Sequence, residues 1–400
     1  MDKNVLIFFP HRLKQRHGGP YSMLYHLKQG LQSVSHNVTF LSALANFPED
    51  RAFRPLASST SLFKKLIKSF VPKKTLNNYK IRKWVGEVGV PDENTLRHVA
   101  FSQYQILHFH ETIDVWRYRN LLENYTGIII LTSHTPKPYH LELLEDVMKL
   151  DKTMISDRSY DLIKNIDVYA YQKAQHLIFP CQEATEAYLE RWQVFNKIVE
   201  EKHVDYVTTG VVSSPLLQTR KTTRLSLQIP EDAFVVSYVG RKIPVKGYDL
   251  LVEAANSLLP LYPDLYFIIV GNKDSDSSIS HTRWIETGWS EDPFAYVEAG
   301  NLHVVPNRFT NFDLNVLEVL SLGKPMLLSD TGGNKYFKQF NPPGIFYHKP
   351  TVADLLHKLK ACYEKKEQLD EIGKDNKEIY TSYFTAERFA QDQVRFYKSL

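Results

Sequence analysis

Cysteine and long apolar runs are both scarce in this sequence. Its 400 residues include only two cysteines, Cys181 and Cys362, too few for a disulfide framework or a zinc site built from thiolates. No stretch reaches the roughly 18 apolar residues that span a bilayer, and the run from Val5 to Phe9 is too short for the apolar core of a signal peptide. We therefore expect a cytoplasmic protein in a reducing compartment.

Strong charge of one sign and low-complexity sequence are also absent. Lys and Arg number 49 against 45 Asp and Glu, a net charge of +4, which is small for a dedicated nucleic-acid binder. Hydrophobic residues make up 43%, with 17 Gly and 20 Pro, which excludes collagen-like and disordered chains. The length predicts two to three domains, and we expect no nucleic-acid partner.

Short β-branched or aromatic runs alternate with helical patterns along the chain, which predicts parallel sheets. The strands predicted in the first half are 5–9, 37–41, 105–110, 127–133 and 176–180, the last being the final strand of that half. Those predicted in the second half are 234–239, 265–270, 302–305 and 325–329. We expect an α/β protein of two Rossmann-like lobes facing a central cleft, with residues 1–207, 208–385 and a helix at 386–400 that packs back on the first lobe.

One stretch has a strongly biased charge. Residues 51–86 contain ten Lys or Arg and no acid. Within residues 62–70 an apolar helical face is flanked by Lys64, Lys65 and Lys68, a pattern typical of helices that bind a membrane surface. A solvated helix with its apolar side on the lobe is the alternative. If the first interpretation holds, residues 62–83 bind an anionic membrane, which places the protein peripherally on the inner face of the plasma membrane.

The most specific motif is a loop that enters a helix, FTNFDLNVLE at residues 309–318, followed by DTGGN at 330–334. Backbone N–H groups and a positive helix end suit an anionic or hydroxyl-rich ligand. Glu318 can accept hydrogen bonds from the adjacent hydroxyls of a ribose, although a surface charge is the alternative. Gly332 and Gly333 predict a further close approach of backbone to ligand. The candidate ligand-binding residues of the loop are Thr310, Asn311, Phe312, Asp313, Leu314 and Asn315.

A second motif, GRKIPVKGYDLL at residues 240–251, follows a predicted strand and opens a helix. Ligands of open α/β sheets bind at the carboxyl ends of the strands, so Arg241 and Lys246 are placed to clamp a diphosphate. Cleavage of a bond to that diphosphate builds negative charge, which two cations neutralise. Solvated cations after a strand are the alternative interpretation.

Together with YPDLYFIIVGN at 262–272, these motifs resemble the donor-binding half of glycosyltransferase family 4. The resemblance covers residues 208–385, and the first lobe matches loosely through its Gly18–Gly19 loop, the ILHFH strand and the loop of His134. It implies the glycosyltransferase B architecture and a nucleotide-sugar donor as substrate. It also implies retention of anomeric configuration, no essential metal and no cofactor.

The same resemblance assigns roles to single residues. Arg241 and Lys246 would hold the donor diphosphate and act in catalysis, with Gly18 and Gly19 approaching it from the first lobe. Glu318 would bind the nucleotide ribose. His134 would face the donor sugar as a third catalytic residue, the alternative being a histidine with a structural role.

Two positions depart from the family pattern. Thr310 stands where the family has a glutamate beside the donor sugar, and Asp313 stands where it usually has glycine. We therefore expect an altered donor sugar, for example a deoxy or amino sugar. Elsewhere, His108, His110 and Glu111 lack a third ligand at suitable spacing for a metal site, and we interpret residues 274–276 as a solvated loop.

The function predicted from these motifs is transfer of a sugar from a nucleotide-diphosphate donor to a glycan or lipid-linked glycan acceptor, in surface polysaccharide or glycoconjugate assembly. The alternative is a non-catalytic subunit that keeps the fold and binds glycan or stabilises an active partner. A nucleotide-sugar epimerase is not favoured by the spacing of the second-lobe motifs.

Overall fold

The computed structural model describes residues 3–16, 18–45, 71–213, 215–272 and 278–400. Within these ranges the chain forms two α/β lobes, each built around a six-stranded parallel sheet. The fold class predicted from the alternation of strands and helices is confirmed. Residues 62–70 and 274–276, including Lys64, Lys65 and Lys68, lie outside the described residues.

The first sheet has the edge-to-edge order β2-β1-β3-β4-β5-β6. Its strands are β1 (Val5–Phe8), β2 (Val38–Phe40), β3 (Ile106–Phe109), β4 (Ile128–Thr132), β5 (His176–Phe179) and β6 (His203–Tyr206). The five predicted strands are confirmed, but the prediction that the chain segment 176–180 is the last was wrong. β6 pairs with β5 at the sheet edge, and its half-exposed sequence HVDY carries no apolar run that would reveal it.

The second sheet has the order β12-β11-β10-β7-β8-β9. Its strands are β7 (Phe234–Val239), β8 (Leu265–Val270), β9 (Trp284–Gly288), β10 (Leu302–Val305), β11 (Met326–Ser329) and β12 (Ile345–His348). The four predicted strands are confirmed. β9 and β12 were not predicted, because both are edge strands whose middle residues are only partly buried.

Helices flank both sheets, as parallel strands require. Those of the first lobe are α1 (Gly19–Leu31), α2 (Leu41–Leu44), α3 (Lys73–Val88), α4 (Glu93–His98), α5 (Thr112–Arg117), α6 (Arg119–Leu122), α7 (Tyr139–Glu142), α8 (Asp157–Lys173), α9 (Glu186–Arg191) and α10 (Gln193–Glu201). Those that follow are α11 (Arg220–Ser226), α12 (Tyr248–Leu258), α13 (Pro293–Ala299), α14 (Leu314–Leu322), α15 (Val352–Glu364), α16 (Lys366–Ile372), α17 (Lys374–Tyr383) and α18 (Ala386–Ser399).

Each sheet reverses its direction of winding beside its first strand. In the first sheet the chain runs outward from β1 to β2 and then returns to the other side of β1 with β3. In the second sheet it runs outward from β7 to β8 and β9 and then returns to the other side of β7 with β10. Such switch points leave a crevice at the carboxyl ends of the strands, which is where open α/β sheets bind ligands. The segments after β1, β3, β7 and β10 are therefore the ones placed to form a site.

Two segments connect the lobes and pair with each other. The N–H of Val211 donates to the carbonyl of Phe384, and the N–H of Ala386 donates back to Val211. After this crossing, α18 packs on α1 of the first lobe, where Phe389 and Val394 are buried. The domain division at residue 208 stays a prediction. No helix in the described part of the chain is both long and apolar enough to cross a membrane.

Candidate functional site

A cleft of about 1120 Å³ lies between the lobes at the carboxyl ends of both sheets. It lies over the two switch points, so the loops after β1, β3, β7 and β10 all contribute to its walls. Of the residues that the sequence predicted, those that line it are Gly18, Gly19, His134, Arg241, Lys246, Asn311, Phe312, Asp313, Leu314, Asn315 and Glu318.

The glycine turn after β1 presents backbone to this cleft. Gly18 and Gly19 have φ values of 78° and 50°, in the left-handed region that favours glycine. A Cβ atom at either position would meet nothing within 4 Å, so the backbone conformation, not crowding, requires glycine here. The pair begins α1, whose N-terminal amides give this wall a positive end.

Two neighbouring cations after β7 have different environments. Lys242 is buried, and its Nζ lies 2.6 Å from Oε2 of Glu286. Burial alone would raise the pKa of Glu286, but hydrogen bonds led by that from Lys242 outweigh it and lower the pKa to about 2. Arg241 is exposed and lines the cleft. Lys242 thus stabilises the lobe, while Arg241 is available to a ligand.

Lys246 lines the cleft but is already ion-paired. Its Nζ lies 2.8 Å from Oδ1 of Asp313, and the side chains are 26% and 19% exposed. The other oxygen of Asp313 accepts a hydrogen bond from the side-chain amide of Asn307, which is buried. Because Lys246 follows β7 and Asp313 follows β10, this ion pair spans the switch point of the second sheet.

The helix α14 carries Glu318 into the cleft. The side-chain amide of Asn315 donates to the carbonyl of Val239 at 2.8 Å, which fixes the start of the helix to the end of β7. Burial raises the pKa of Glu318 to about 8, and the nearby Arg16 opposes the shift. A carboxyl group that is mostly protonated at neutral pH therefore faces the cavity.

Thr310 and the glycine pair lie behind the wall of the cleft. Thr310 is 2% exposed, and neither it nor Gly332 or Gly333 is part of the cleft wall. A Cβ on Gly332 would lie 2.1 Å from the carbonyl oxygen of Thr310, and one on Gly333 would lie 1.7 Å from that of Asn311. Glycine is needed at both positions because two loops pack backbone against backbone, and the approach of these glycines to a ligand stays a prediction.

A stack of histidines reaches the first-lobe wall, which His110 and His134 line while His108 lies behind them. Nε2 of His134 lies 2.9 Å from Nδ1 of His110, and His108 is hydrogen-bonded through both ring nitrogens to the hydroxyls of Tyr397 and Thr132 at 2.6 Å. Burial lowers the pKa of His134 to about 3. The ring that faces the cleft is therefore neutral at physiological pH.

Two cleft residues were missed by the sequence analysis. Oε2 of Glu142 is buried with no hydrogen-bond partner among the described residues, and burial raises the pKa of this carboxyl while Arg241 across the cleft opposes the shift. Trp289, 60% exposed, lines the cleft beyond the unpredicted strand β9. In the sequence Glu142 lies in a helical pattern like many others. Trp289 is distinguished only by its exposure, which the structure shows and the sequence does not.

Contacts between the lobes hold the cleft in this arrangement. The side-chain amide of Asn311 donates to the carbonyl of Ser133 at 2.8 Å. Nζ of Lys335 lies 2.7 Å from Oε1 of Glu186, whose other oxygen accepts from the N–H of Gly332 at 3.2 Å. These hydrogen bonds and the ion pair therefore connect the two walls on the side of the cleft next to the loop before α14.

The chain is similar to known sugar transferases in its second half. Residues 219–379 match the family model "Glycosyl transferases group 1". The chain is 25% identical over 202 residues to the D-inositol 3-phosphate glycosyltransferase of Gordonia bronchialis, covering 46% of this chain and 44% of that protein. It is 25% identical over 155 residues to the UDP-Gal:alpha-D-GlcNAc-diphosphoundecaprenol alpha-1,3-galactosyltransferase of Escherichia coli, covering 34% and 40%. The matches span less than half of either relative.

Similarity to solved structures extends over both lobes. Sucrose-phosphate synthase from Thermosynechococcus elongatus superposes with a TM-score of 0.66 at 18% identity, covering 99% of this chain and 98% of that one. Anabaena HepE in complex with UDP-glucose gives 0.61 at 16% identity, covering 99% of each chain. These likenesses confirm the fold, the two-lobed glycosyltransferase B architecture. The family match covers Arg241, Lys246 and Glu318, so the part of the chain that carries the predicted donor-binding residues is similar to glycosyl transferases group 1.

Proposed function

We propose that this protein is a retaining, metal-independent glycosyltransferase that moves a sugar from a nucleotide-diphosphate donor to a glycan or lipid-linked glycan. The observation that carries the proposal is the convergence of Arg241, Lys246 and Glu318 with the Gly18–Gly19 turn around one cleft. Two cations, helix N-terminal amides and a carboxyl group are the set that a diphosphate and a ribose require.

In the proposed reaction the acceptor hydroxyl attacks the anomeric carbon on the face that the diphosphate leaves. The bond from that carbon to the diphosphate oxygen breaks, the bond to the acceptor oxygen forms, and the departing diphosphate takes the acceptor's proton. Arg241 and Lys246 stabilise the charge that grows on the leaving group. The cleft supplies positioning between two walls, which lowers the barrier further.

First-lobe residues would orient the sugar and the acceptor. His134 is held neutral by burial, so it offers a hydrogen bond without adding charge beside the anomeric carbon. Glu142 has a free carboxyl oxygen on the same side of the cleft, suited to accept a hydrogen bond from a sugar hydroxyl. These two side chains would therefore bind the sugar and the acceptor, while the diphosphate is held by Arg241 and Lys246 with the Gly18–Gly19 turn.

The donor sugar would differ from the common hexoses. Thr310, which stands where the family has a glutamate beside the donor sugar, is buried outside the cleft wall, so the carboxylate that would bind the hydroxyls of a common hexose is missing there. Turnover across a panel of nucleotide sugars tests this, including deoxy and amino sugars. A clear preference for UDP-glucose or GDP-mannose would contradict the altered specificity but not the transferase activity.

The transferase proposal is tested by calorimetry and by product release. We expect the protein to bind at least one nucleoside diphosphate among UDP, GDP, ADP and dTDP, and to release it from the matching nucleotide sugar when an acceptor is added. Nuclear magnetic resonance of the product then gives its anomeric configuration, and retention is expected. No affinity for any of the four would overturn the proposal.

The positive side chains of Arg241 and Lys246 would neutralise the diphosphate, so we propose that the reaction uses neither a metal nor a cofactor. Arg241 and Lys246 occupy the position from which a divalent ion would act on the diphosphate. Turnover is expected to persist after treatment with a chelator and to gain nothing from added Mg²⁺ or Mn²⁺. Loss of activity that Mn²⁺ restores would show that the two cations are not sufficient.

A non-catalytic subunit is the second candidate, and the ion pair of Lys246 with Asp313 favours it, because this pair occupies one of the two diphosphate ligands. Such a subunit would bind glycan and stabilise an active partner without releasing nucleotide. Glycan binding measured together with the absence of nucleoside diphosphate release would support it over the enzyme.

The acceptor would be presented at an anionic membrane surface. On α3 the side chains of Lys73, Lys74, Lys80, Arg82 and Lys83 are all exposed, while Ile81 and Trp84 hold the helix on the lobe. Exposed cations attract anionic lipids at about 1 kcal/mol for each cation near the surface. The name of the Escherichia coli relative, which includes a diphosphoundecaprenol acceptor, supports a lipid-linked substrate.

Liposome binding tests the membrane role. Replacing Lys73 and Lys80 by Gln is expected to weaken binding to phosphatidylglycerol vesicles roughly tenfold or more, since two surface charges are lost. The matched control replaces two exposed lysines of the second lobe, Lys360 and Lys365, by Gln and is expected to bind as the unaltered protein does. Equal weakening in both variants would contradict a site on α3.

A further inference from the structure

The carboxylate of Asp313 occupies the place that a phosphate would take. It accepts from Nζ of Lys246 at 2.8 Å and from the side-chain amide of Asn307, at the N-terminus of α14 and over the switch point of the second sheet. A cation, an amide donor and a helix N-terminus around an oxyanion are the ligands that proteins use for phosphate. Here the carboxylate of Asp313 binds the cation and the amide donor, and it makes no hydrogen bond to the helix N-terminus.

We propose that Asp313 is an internal occupant of the diphosphate subsite, and that a nucleotide donor binds by displacing its carboxylate from Lys246. The inference rests on the proposed function, because it requires a diphosphate ligand at this site. It makes donor binding an exchange of one anion for another, so that Asp313 sets how tightly a donor and its nucleotide product are held.

The exchange follows from the geometry of one ammonium group. Two oxygens hydrogen-bonded to the same ammonium lie roughly 4–5 Å apart, and like charges at that distance repel strongly in a partly desolvated cleft. Lys246 and Asp313 are each less than one-third exposed, so water screens the repulsion only in part. A diphosphate on Lys246 is therefore more stable when the carboxylate has moved away.

The displaced carboxylate has a place to go. Asp313 is the N-cap residue of α14, with extended backbone angles, yet its side chain makes no hydrogen bond to the first turn of the helix. Aspartate is among the preferred N-cap residues because its oxygen accepts from the N–H groups of the first turn. A rotation about its side-chain bonds exchanges the contact with Lys246 for a cap on α14.

Another acidic residue of the same lobe provides a matched control. Asp249 forms a bidentate pair with Arg308, with oxygens at 2.6 and 2.7 Å, and neither residue is part of the cleft wall. Replacing Asp249 by Asn removes the same charge as replacing Asp313 by Asn. The two variants therefore separate a local competitor from a general change in the field of the lobe.

The experiment measures the affinity of UDP, GDP, ADP and dTDP for the full chain by calorimetry. For the nucleotide that binds most tightly, Asp313→Asn is expected to raise affinity about tenfold or more, because the repulsion is removed while the shape is kept. Asp249→Asn is expected to leave it unchanged. The gain should be absent for the corresponding nucleoside, which has no phosphate to compete with the carboxylate.

Each other outcome has a distinct meaning. If the unaltered protein binds a nucleotide and Asp313→Asn binds it equally or more weakly, the displacement is wrong and Asp313 instead positions Lys246. If no variant binds any nucleotide, the proposed function itself is overturned. Asp313→Ser, which keeps a capping oxygen without the charge, serves if the Asn variant does not fold as judged by thermal unfolding, and the same tenfold gain is then expected.

Discussion

Nucleotide binding should release a proton from Glu318. Burial raises the pKa of this carboxyl to about 8, with Arg16 opposing the shift, so the protonated form predominates at pH 7. The adjacent hydroxyls of a ribose both donate to a carboxylate, and the ionised form accepts them more strongly. The bound state therefore favours the ionised form, and nucleotide binding at pH 7 should release a large part of one proton.

The sign of this linkage fixes the dependence on pH. Because the free protein holds the proton and the complex does not, affinity should rise with pH, by up to about tenfold per unit between pH 6 and 8, and level off above 8. Calorimetry in two buffers of different ionisation enthalpy counts the protons directly. The measurement uses the nucleoside diphosphate that binds most tightly.

Glu318→Gln separates this proton from those of the phosphate itself. The variant keeps the shape of the side chain but cannot ionise, so the number of protons released at pH 7 should fall clearly and the steep rise in affinity with pH should disappear. If the variant and the unaltered protein release the same number of protons on binding, Glu318 does not contact the ribose as reasoned here.

Three further outcomes are expected. Lys246→Ala should lower turnover roughly 10²-fold in an assay of nucleotide release, since it removes a group that stabilises the leaving diphosphate; unchanged turnover would refute that role. Gly332→Ala should lower the free energy of unfolding by about 2 kcal/mol or more, because its Cβ would lie 2.1 Å from the carbonyl oxygen of Thr310 at a φ of 45°. The control Gly86→Ala has open space around it on an exposed helix and should be neutral or stabilising. Equal losses of the two variants in denaturant titrations would contradict the packing argument. Glu186→Gln should lower that free energy by only about 0.5–1 kcal/mol, because its ion pair across the lobes is about one-third exposed, and a loss of several kcal/mol would mean that this tie holds the lobes together.

The central strands and the helix α14 could be predicted from the sequence because the patterns that indicate them are local. Phe234–Val239 and Leu265–Val270 are continuous apolar runs, as buried parallel strands require, and the structure places both at the predicted bounds. α14 begins at Leu314, within the motif at residues 309–318 that predicted a loop entering a helix. β6 and β12 escaped prediction because an edge strand has one neighbour and needs no continuous apolar run.

Local patterns are enough to specify the two parallel sheets and to place Arg241, Lys246 and Glu318 at one cleft, because apolar runs form the strands and ligand-binding residues follow the ends of parallel strands. Tertiary structure alone decided which charges meet. Asp313 and Lys246 are far apart in the chain and pair only because β10 lies beside β7. Tertiary contacts also decide that Thr310 is buried outside the cleft wall while Glu142 lines it. The direction of these side chains depends on contacts between loops, which no local sequence pattern encodes.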